Sequence, residues 1–209
     1  MISDMSAVKA GFREAVQPLA VACVRLGIQA NWLTYAGFLL NVVAAVIVAQ
    51  GWMLVGGVLF LIVNALDFLD GAVARAAGTA GRYGAFLDSV LDRYSEGVVF
   101  VGLLVWFAGQ DDSVGLLATG CALIGSFMVS YCRARAEGLG INCEVGWLQR
   151  PERIVVLGIG MILAGLPLLP MPMAVLVAVL VALAVLTNYT AWQRMRHVAR
   201  TFDETSRRG

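Results

Sequence analysis

Six apolar stretches, each near the length of a bilayer crossing, constrain this chain more than any other feature. They fall at about 31–50, 52–77, 82–109, 114–137, 152–169 and 171–193. Roughly 20 apolar residues in a helix cross the hydrocarbon core. Charged residues make up only 14% of the 209 residues, against about 25% in an ordinary soluble domain. A large soluble core does not need so many long apolar runs joined by short turns. The expected fold is therefore an all-α integral membrane protein with six transmembrane helices.

The basic residues supply an independent check. The turns at Gln50-Gly51, Gln110-Asp111-Asp112 and Pro167 to Met173 contain no Lys or Arg. All 15 basic residues fall elsewhere: before the first span, around the turn between spans two and three, around the connection between spans four and five, and in the tail. With six spans they share one side. The positive-inside rule makes that side cytoplasmic, with both termini inside the cell (plasma or inner) membrane. Net charge of +1 gives no bulk attraction for nucleic acid.

Residues 1–28 lack the clean apolar region and small-residue cleavage site of a signal peptide. Val8, Phe12, Val16, Leu19 and Cys23 recur at helical spacing, which predicts an amphipathic helix lying at the membrane surface, bent at Pro18. The organisation expected is one domain over 1–209: this interfacial helix at 1–28, a six-helix bundle at 29–195, and a cytoplasmic tail at 196–209. Residues Asp203 to Gly209 are expected to be disordered. The four cysteines read as small core residues. His197 is the only histidine, which excludes histidine metal clusters; it reads as a solvated tail residue.

Against this apolar background the stretch DFLDGAVARAAGTAGRYGAFLDSVLD, Asp67 to Asp92, stands out. Asp67, Asp70, Gly71 and Ala74 lie at i, i+3, i+4 and i+7, on one side of span two. Gly84, Asp88 and Asp92 lie at i, i+4 and i+8, on one side of span three. Counting about 1.5 Å per residue from Trp52 places Asp67 toward the cytoplasmic side of the bilayer. Each charge at the bilayer centre costs about 2.5–3.5 kcal/mol, and like charges repel. Two readings account for the cluster. Arg75, Arg82 and Arg93 neutralise it, or divalent cations do. Paired carboxylates beside glycines on facing helices suit the second: oxygen ligands fit Mg²⁺ or Mn²⁺, and four carboxylates hold two ions about 3.5–4 Å apart. Such a pair stabilises charge in phosphoryl transfer.

Asp67, Asp70, Gly71, Ala74, Arg75, Gly84, Asp88 and Asp92 together form D-x-x-D-G-x-x-A-R-x8-G-x-x-x-D-x-x-x-D. This resembles the signature of the CDP-alcohol phosphatidyltransferase family at every fixed position. The resemblance implies that a CDP-linked lipid gives its phosphatidyl group to an alcohol and CMP leaves. It implies that Asp67, Asp70, Asp88 and Asp92 hold the metals, and that Asp92 is also the general base. Gly71, Ala74 and Arg75, with Gly81 and Gly84, receive the CDP moiety on the same grounds. Gly81 stands where related enzymes can have a hydroxyl residue, a role Thr79 or a backbone N–H can take. Asn31, Trp32, Leu33 and Thr34 resemble a further nucleotide-facing segment, or simply cap the helix. A homodimer is also implied by the family alone.

The acceptor rests on other residues. Ser130, Arg133 and Arg135 lie at the end of span four; Arg150 and Arg153 open span five. They either flank the membrane as ordinary positive-inside charge or form a pocket for a phosphorylated acceptor, with Glu137 and Glu152 as orienting partners. SYCRARAE and RPER resemble segments of the family's phosphatidylinositol-phosphate synthase branch. That resemblance puts inositol phosphate on Arg133, Arg135 and Arg153, with Ser130 beside them, and CDP-diacylglycerol as donor. The alternatives are glycerol 3-phosphate as acceptor, a CDP-archaeol donor, or, from another class, a cation transporter. Transporters usually place their polar sites near mid-membrane, whereas these acids lie toward one face.

Overall fold

The computed structural model describes residues 17–167 and 171–206. Every regular element among them is helical. Helix α1 occupies 17–25, and six long helices follow: α2 (Ala30–Ala49), α3 (Met53–Ala76), α4 (Arg82–Gly109), α5 (Ser113–Glu137), α6 (Arg150–Gly165) and α7 (Pro172–Ser206). They stand within a few residues of the six expected spans, save at the end of α7. Four of them, α2, α3, α5 and α7, are long and apolar enough to cross a membrane. Helix α4 carries Asp88, Asp92, Arg93 and Glu96 between its first turns and its middle. Helix α6, at 16 residues, covers only about 24 Å, because extended backbone at Leu166 ends it just before Pro167.

The chain divides into two compact units. The first takes the residues up to Val43 together with Leu59–Val98. Its apolar cluster joins Ala20 and Cys23 of α1 to Leu69, Ala72 and Val73 of α3, with Val24, Ala30 and Leu33 against it. The buried face of α1 is thus Ala20, Cys23 and Val24, whereas Leu19 of the expected stripe is half exposed. Val8, Phe12 and Val16 lie outside the described residues. Helix α3 stops because Gly78 takes a left-handed φ of 68°, and the Thr79 amide closes the turn on the Ala74 carbonyl at 2.9 Å. Phe38 and Tyr94 meet edge to face at 6.3 Å, tying α2 to α4.

The second unit takes Ala44–Val58 and everything from Val99 onward. Large apolar side chains fill it: Phe100, Leu103, Phe107, Leu157, Met161, Leu176, Leu180 and Leu183 are all buried. Small residues set its helix contacts. A side-chain carbon on Gly102 would run into the Ala45 backbone, and one on Gly125 into Thr187 and Asn188. Asp112 caps α5 by accepting from the amides of Val114 and Gly115 at 3.1 and 2.9 Å. Asn188 of α7 donates across to the Cys121 carbonyl of α5 at 3.2 Å.

Three expectations about the C-terminal third change. Asp203 to Ser206 continue α7, because the segment after Arg194 contains no glycine or proline before Gly209 and helix propensity carries it on. His197 is not merely solvated: its Nε2 contacts the Asn142 carbonyl at 3.0 Å. Arg194, read from the sequence as a tail charge, is buried. Its Nε donates to the Val145 carbonyl at 2.9 Å and its Nη1 to the Val129 carbonyl at 2.6 Å, stapling the 138–149 connection to α5. All four cysteines are free thiols. Burial pushes the Cys143 thiol above its usual range, as suits a packing residue and not a reactive one.

Candidate active site

In the first unit an 18-residue lining encloses a cavity of about 610 Å³. Helix α3 contributes Asp70, Gly71, Ala74 and Arg75 to it, and α4 contributes Gly84, Ala85 and Asp88. Thr79, Ala80 and Gly81 close it from the turn, and Asn31 and Thr34 from α2. The i, i+3, i+4, i+7 spacing read from the sequence is the reason: it aligns the acid and the small residues of α3 on one face, opposite the matching face of α4. The small residues make the room. Arg75 folds back over Gly71, where a side-chain carbon would stand 3.3 Å from Nη1. Asn31 lies against Gly84 in the same way, with Oδ1 3.7 Å from such a carbon.

Of the nucleotide residues expected, Asn31, Thr34, Gly71, Ala74, Arg75, Gly81 and Gly84 line this cavity, and Thr79 joins them. Trp32 and Leu33 do not. Trp32 is 71% exposed, and Leu33 packs onto the apolar cluster beneath α1. A helix turns about 100° per residue, so four consecutive residues cannot all face one ligand.

The aspartates sit on the expected helices with different surroundings. Asp70 is 8% exposed and accepts a 2.7 Å hydrogen bond from Thr34 Oγ1. The charges of Asp88 and Asp67 both act on it. Asp67 faces Gly37 of α2, where a side-chain carbon would stand 3.4 Å from Oδ1. Asp92 pairs with Arg93 at 3.5 Å, and Arg93 also donates to the Ser89 carbonyl at 2.6 Å. Arginine neutralisation is therefore present at Asp92. Among the described residues, no three acidic, histidine or cysteine side chains converge on one point. Like charges repel, and three of the carboxylates have different neighbours: Thr34 for Asp70, Gly37 for Asp67 and Arg93 for Asp92. Of the four expected ligands, Asp70 of α3 and Asp88 of α4 line the cavity, whereas Asp67 and Asp92 lie on the same helices outside its lining. The described lining holds no histidine or cysteine, and its oxygen donors suit a hard divalent cation.

The arginines belong to the second unit. Arg153 is 1% exposed, the largest fully buried side chain of the described residues. Arg133 forms ion pairs with Glu137 at 2.8 Å and Glu144 at 3.5 Å. Glu144, from the 138–149 connection, is a further partner of Arg133 that the sequence did not suggest. Arg135 is exposed and Ser130 half-buried. The charges of Arg133 and Arg153 both act on the buried Arg194, so these three form a cationic group drawn from α5, α6 and α7. Sequence reading missed Arg194. The signal was available: Leu176, Leu180, Leu183, Thr187 and Thr190 step along α7 at three- and four-residue intervals, and Arg194 is the next step.

Comparison with known proteins identifies the family. Residues 28–195 match the family model for CDP-alcohol phosphatidyltransferase. The chain is 38% identical to the phosphatidylinositol phosphate synthase of Mycolicibacterium smegmatis, over 92% of this chain and 87% of that one. It is 40% identical to the archaetidylinositol phosphate synthase of Methanothermobacter thermautotrophicus, over 89% of each. Its fold superposes on the crystal structure of Mycobacterium tuberculosis phosphatidylinositol phosphate synthase with CDP-DAG bound, with a TM-score of 0.82 and 34% identity, covering 88% of this chain and 92% of that one. A second structure of that enzyme is in complex with manganese and citrate. On its signature, its apolar helices and these matches, the chain is a membrane enzyme of the CDP-alcohol phosphatidyltransferase family.

Proposed function

We propose that this enzyme transfers the phosphatidyl group of CDP-diacylglycerol to inositol phosphate, forming phosphatidylinositol phosphate and CMP. One observation carries the acceptor. The bacterial and archaeal relatives differ in the lipid they are named for, yet both names carry an inositol phosphate head group. The acceptor is the shared element, and the buried Arg153 with Arg133 and Arg194 supplies cations for its phosphate.

The CDP moiety occupies the cavity of the first unit, with the nucleotide against Gly71, Ala74, Gly81 and Gly84 and the diphosphate near Arg75. Asp67, Asp70, Asp88 and Asp92 hold divalent cations, Mg²⁺ or Mn²⁺, in the number the family resemblance implies, two. When bound, such ions supply charge stabilisation at the attacking and leaving oxygens. Thr34 orients the Asp70 carboxylate through its hydroxyl. Asp92 accepts the proton of the acceptor hydroxyl as the new P–O bond forms at the lipid-linked phosphorus. The bond from that phosphorus to the bridging oxygen breaks, and CMP leaves with that oxygen. Arg93 stands beside the Asp92 carboxylate, 3.5 Å from it. Arg135 and Ser130 complete the acceptor phosphate site.

All six long helices cross the bilayer, α1 lies at the interface, and the aspartates and both termini face the cytoplasm. The lack of basic residues in the α2–α3, α4–α5 and α6–α7 turns supports that orientation. The charged first half of α4 is tolerated because the same carboxylates bind cations. The chain works as a single catalytic domain, and as a homodimer on the family resemblance.

The test is CMP release from CDP-diacylglycerol and from CDP-archaeol by purified enzyme. Inositol 1-phosphate, inositol, glycerol 3-phosphate and serine are offered in parallel. Release with inositol 1-phosphate and CDP-diacylglycerol alone is the expected result. Release with glycerol 3-phosphate and none with inositol phosphate overturns the acceptor.

A further inference from the structure

Helices α2 and α3 meet in the first unit along three rungs. Thr34 Oγ1 donates to Asp70 Oδ2 at 2.7 Å. Gly37 lies opposite Asp67. Asn64 Nδ2 donates to Asn41 Oδ1 at 3.3 Å. The steps are Thr34, Gly37 and Asn41 on α2, and Asp70, Asp67 and Asn64 on α3, in antiparallel order and at helical spacing of three and four. Two rungs hold the aspartates. The third is an amide pair in the middle of two apolar helices, both members buried, at 0% and 7% exposure.

Each asparagine is also pinned to its own helix. Asn41 donates to the carbonyl of Gly37 at 3.1 Å, the residue opposite Asp67. Asn64 donates to the Phe60 carbonyl at 2.8 Å. Away from water a side-chain amide left without a partner is costly, so the pair strongly prefers one alignment. A single buried asparagine pair is known to select helix register in this way at the cost of some stability. Sliding α2 by one residue, about 1.5 Å, would break the Asn41–Asn64 bond and carry Gly37 off Asp67. A bulkier residue of α2 would then press on that carboxylate.

We infer that Asn41 and Asn64 are positioning residues for the aspartate site: their amide clamp sets the register of α2 on α3, and through it the placement of the Asp67 and Asp70 carboxylates for cation binding. This rests on the reading of those aspartates as cation ligands. It assigns a role to two residues that are not part of the cavity lining.

The test uses full-length enzyme in detergent: wild type, Asn41→Leu, Asn64→Leu and the double variant, with Asn64→Ser as a gentler change. Mn²⁺ binding is titrated by the loss of the free-ion paramagnetic signal, without lipid substrate, and thermal unfolding is followed alongside. Each leucine variant is expected to weaken Mn²⁺ binding about tenfold or more, the range seen when outer partners of metal ligands are removed. The double variant should lose no more than the worse single one, since either change releases the same clamp. Asn64→Ser should move in the same direction. Unchanged Mn²⁺ affinity in the folded variants, with only the unfolding temperature lowered, would reduce the pair to ordinary helix packing and overturn the inference. Additive losses in the double variant overturn the shared clamp. If wild type itself binds no Mn²⁺, the cation reading of the aspartates fails first.

Discussion

The two charged centres of this enzyme are built in opposite ways. The aspartates and the cavity beside them come mostly from one 26-residue stretch, Asp67 to Asp92, folded as two helices and a glycine turn. The arginines come from α5, α6 and α7, spread along the chain from Arg133 to Arg194. In the first, the sequence spacing is the geometry, because i, i+3 and i+4 place side chains on a common face. In the second, spacing within any one segment says little. Arg153 and Arg135 are both arginines at helix ends, yet one is fully buried and the other exposed. Local patterns report faces; only packing between distant helices selects which charged residue goes inside.

The largest break in that comparison comes from Asp92→Asn. It keeps the helix and the side-chain shape and removes the proposed base. CMP release should fall by about 10²–10⁴, the usual contribution of general acid–base catalysis. Turnover near wild type would remove Asp92 from that role.

Arg153→Lys addresses the other centre alone. Lysine keeps the charge but loses the planar fork that binds phosphate with two hydrogen bonds. The Michaelis constant for inositol phosphate should rise about tenfold, equivalent to ~1.4 kcal/mol, while that for CDP-diacylglycerol stays put. An effect confined to the CDP-lipid would put the arginine in the wrong half of the reaction.

Thr34→Val removes only the hydroxyl that bonds Asp70. Hydrogen bonds to charged groups are worth about 1.5–3 kcal/mol, so a loss of roughly tenfold in kcat/KM is expected. It should be accompanied by a higher Mn²⁺ requirement. The smallest effect is expected from Asn188→Leu. Its bond to the Cys121 carbonyl joins α5 to α7, and interhelical bonds of this kind average about 0.6 kcal/mol. A slight fall in unfolding temperature, with both Michaelis constants unchanged, would separate helix adhesion from the arginine centre that shares these helices.

Much of the architecture was legible in the chain. Hydropathy placed six long helices within a few residues, because a long apolar run can satisfy its own backbone hydrogen bonds as a helix. The α3–α4 turn was legible from Gly78 to Gly81, since glycine accepts the left-handed backbone that ends a helix. The length of α7 was misjudged. Polarity suggested a loose tail after residue 202, but a run without glycine or proline simply stays helical. The nucleotide segment was half legible: Asn31 and Thr34 line the cavity while Trp32 and Leu33 turn elsewhere, as helix rotation demands.

By itself, then, the amino-acid sequence determined the helices, their breaks and the face that gathers acids and glycines. These follow from transfer energies and from the 3.6-residue period, which act within one segment. Tertiary structure decided the rest: that Asn41 meets Asn64, that Thr34 supports Asp70, and that Arg194 leaves the tail for a buried place beside Arg133 and Arg153. The physical reason is common to all three. A polar group in an apolar interior must find its partner on another helix, and which helix that is depends on how distant segments pack.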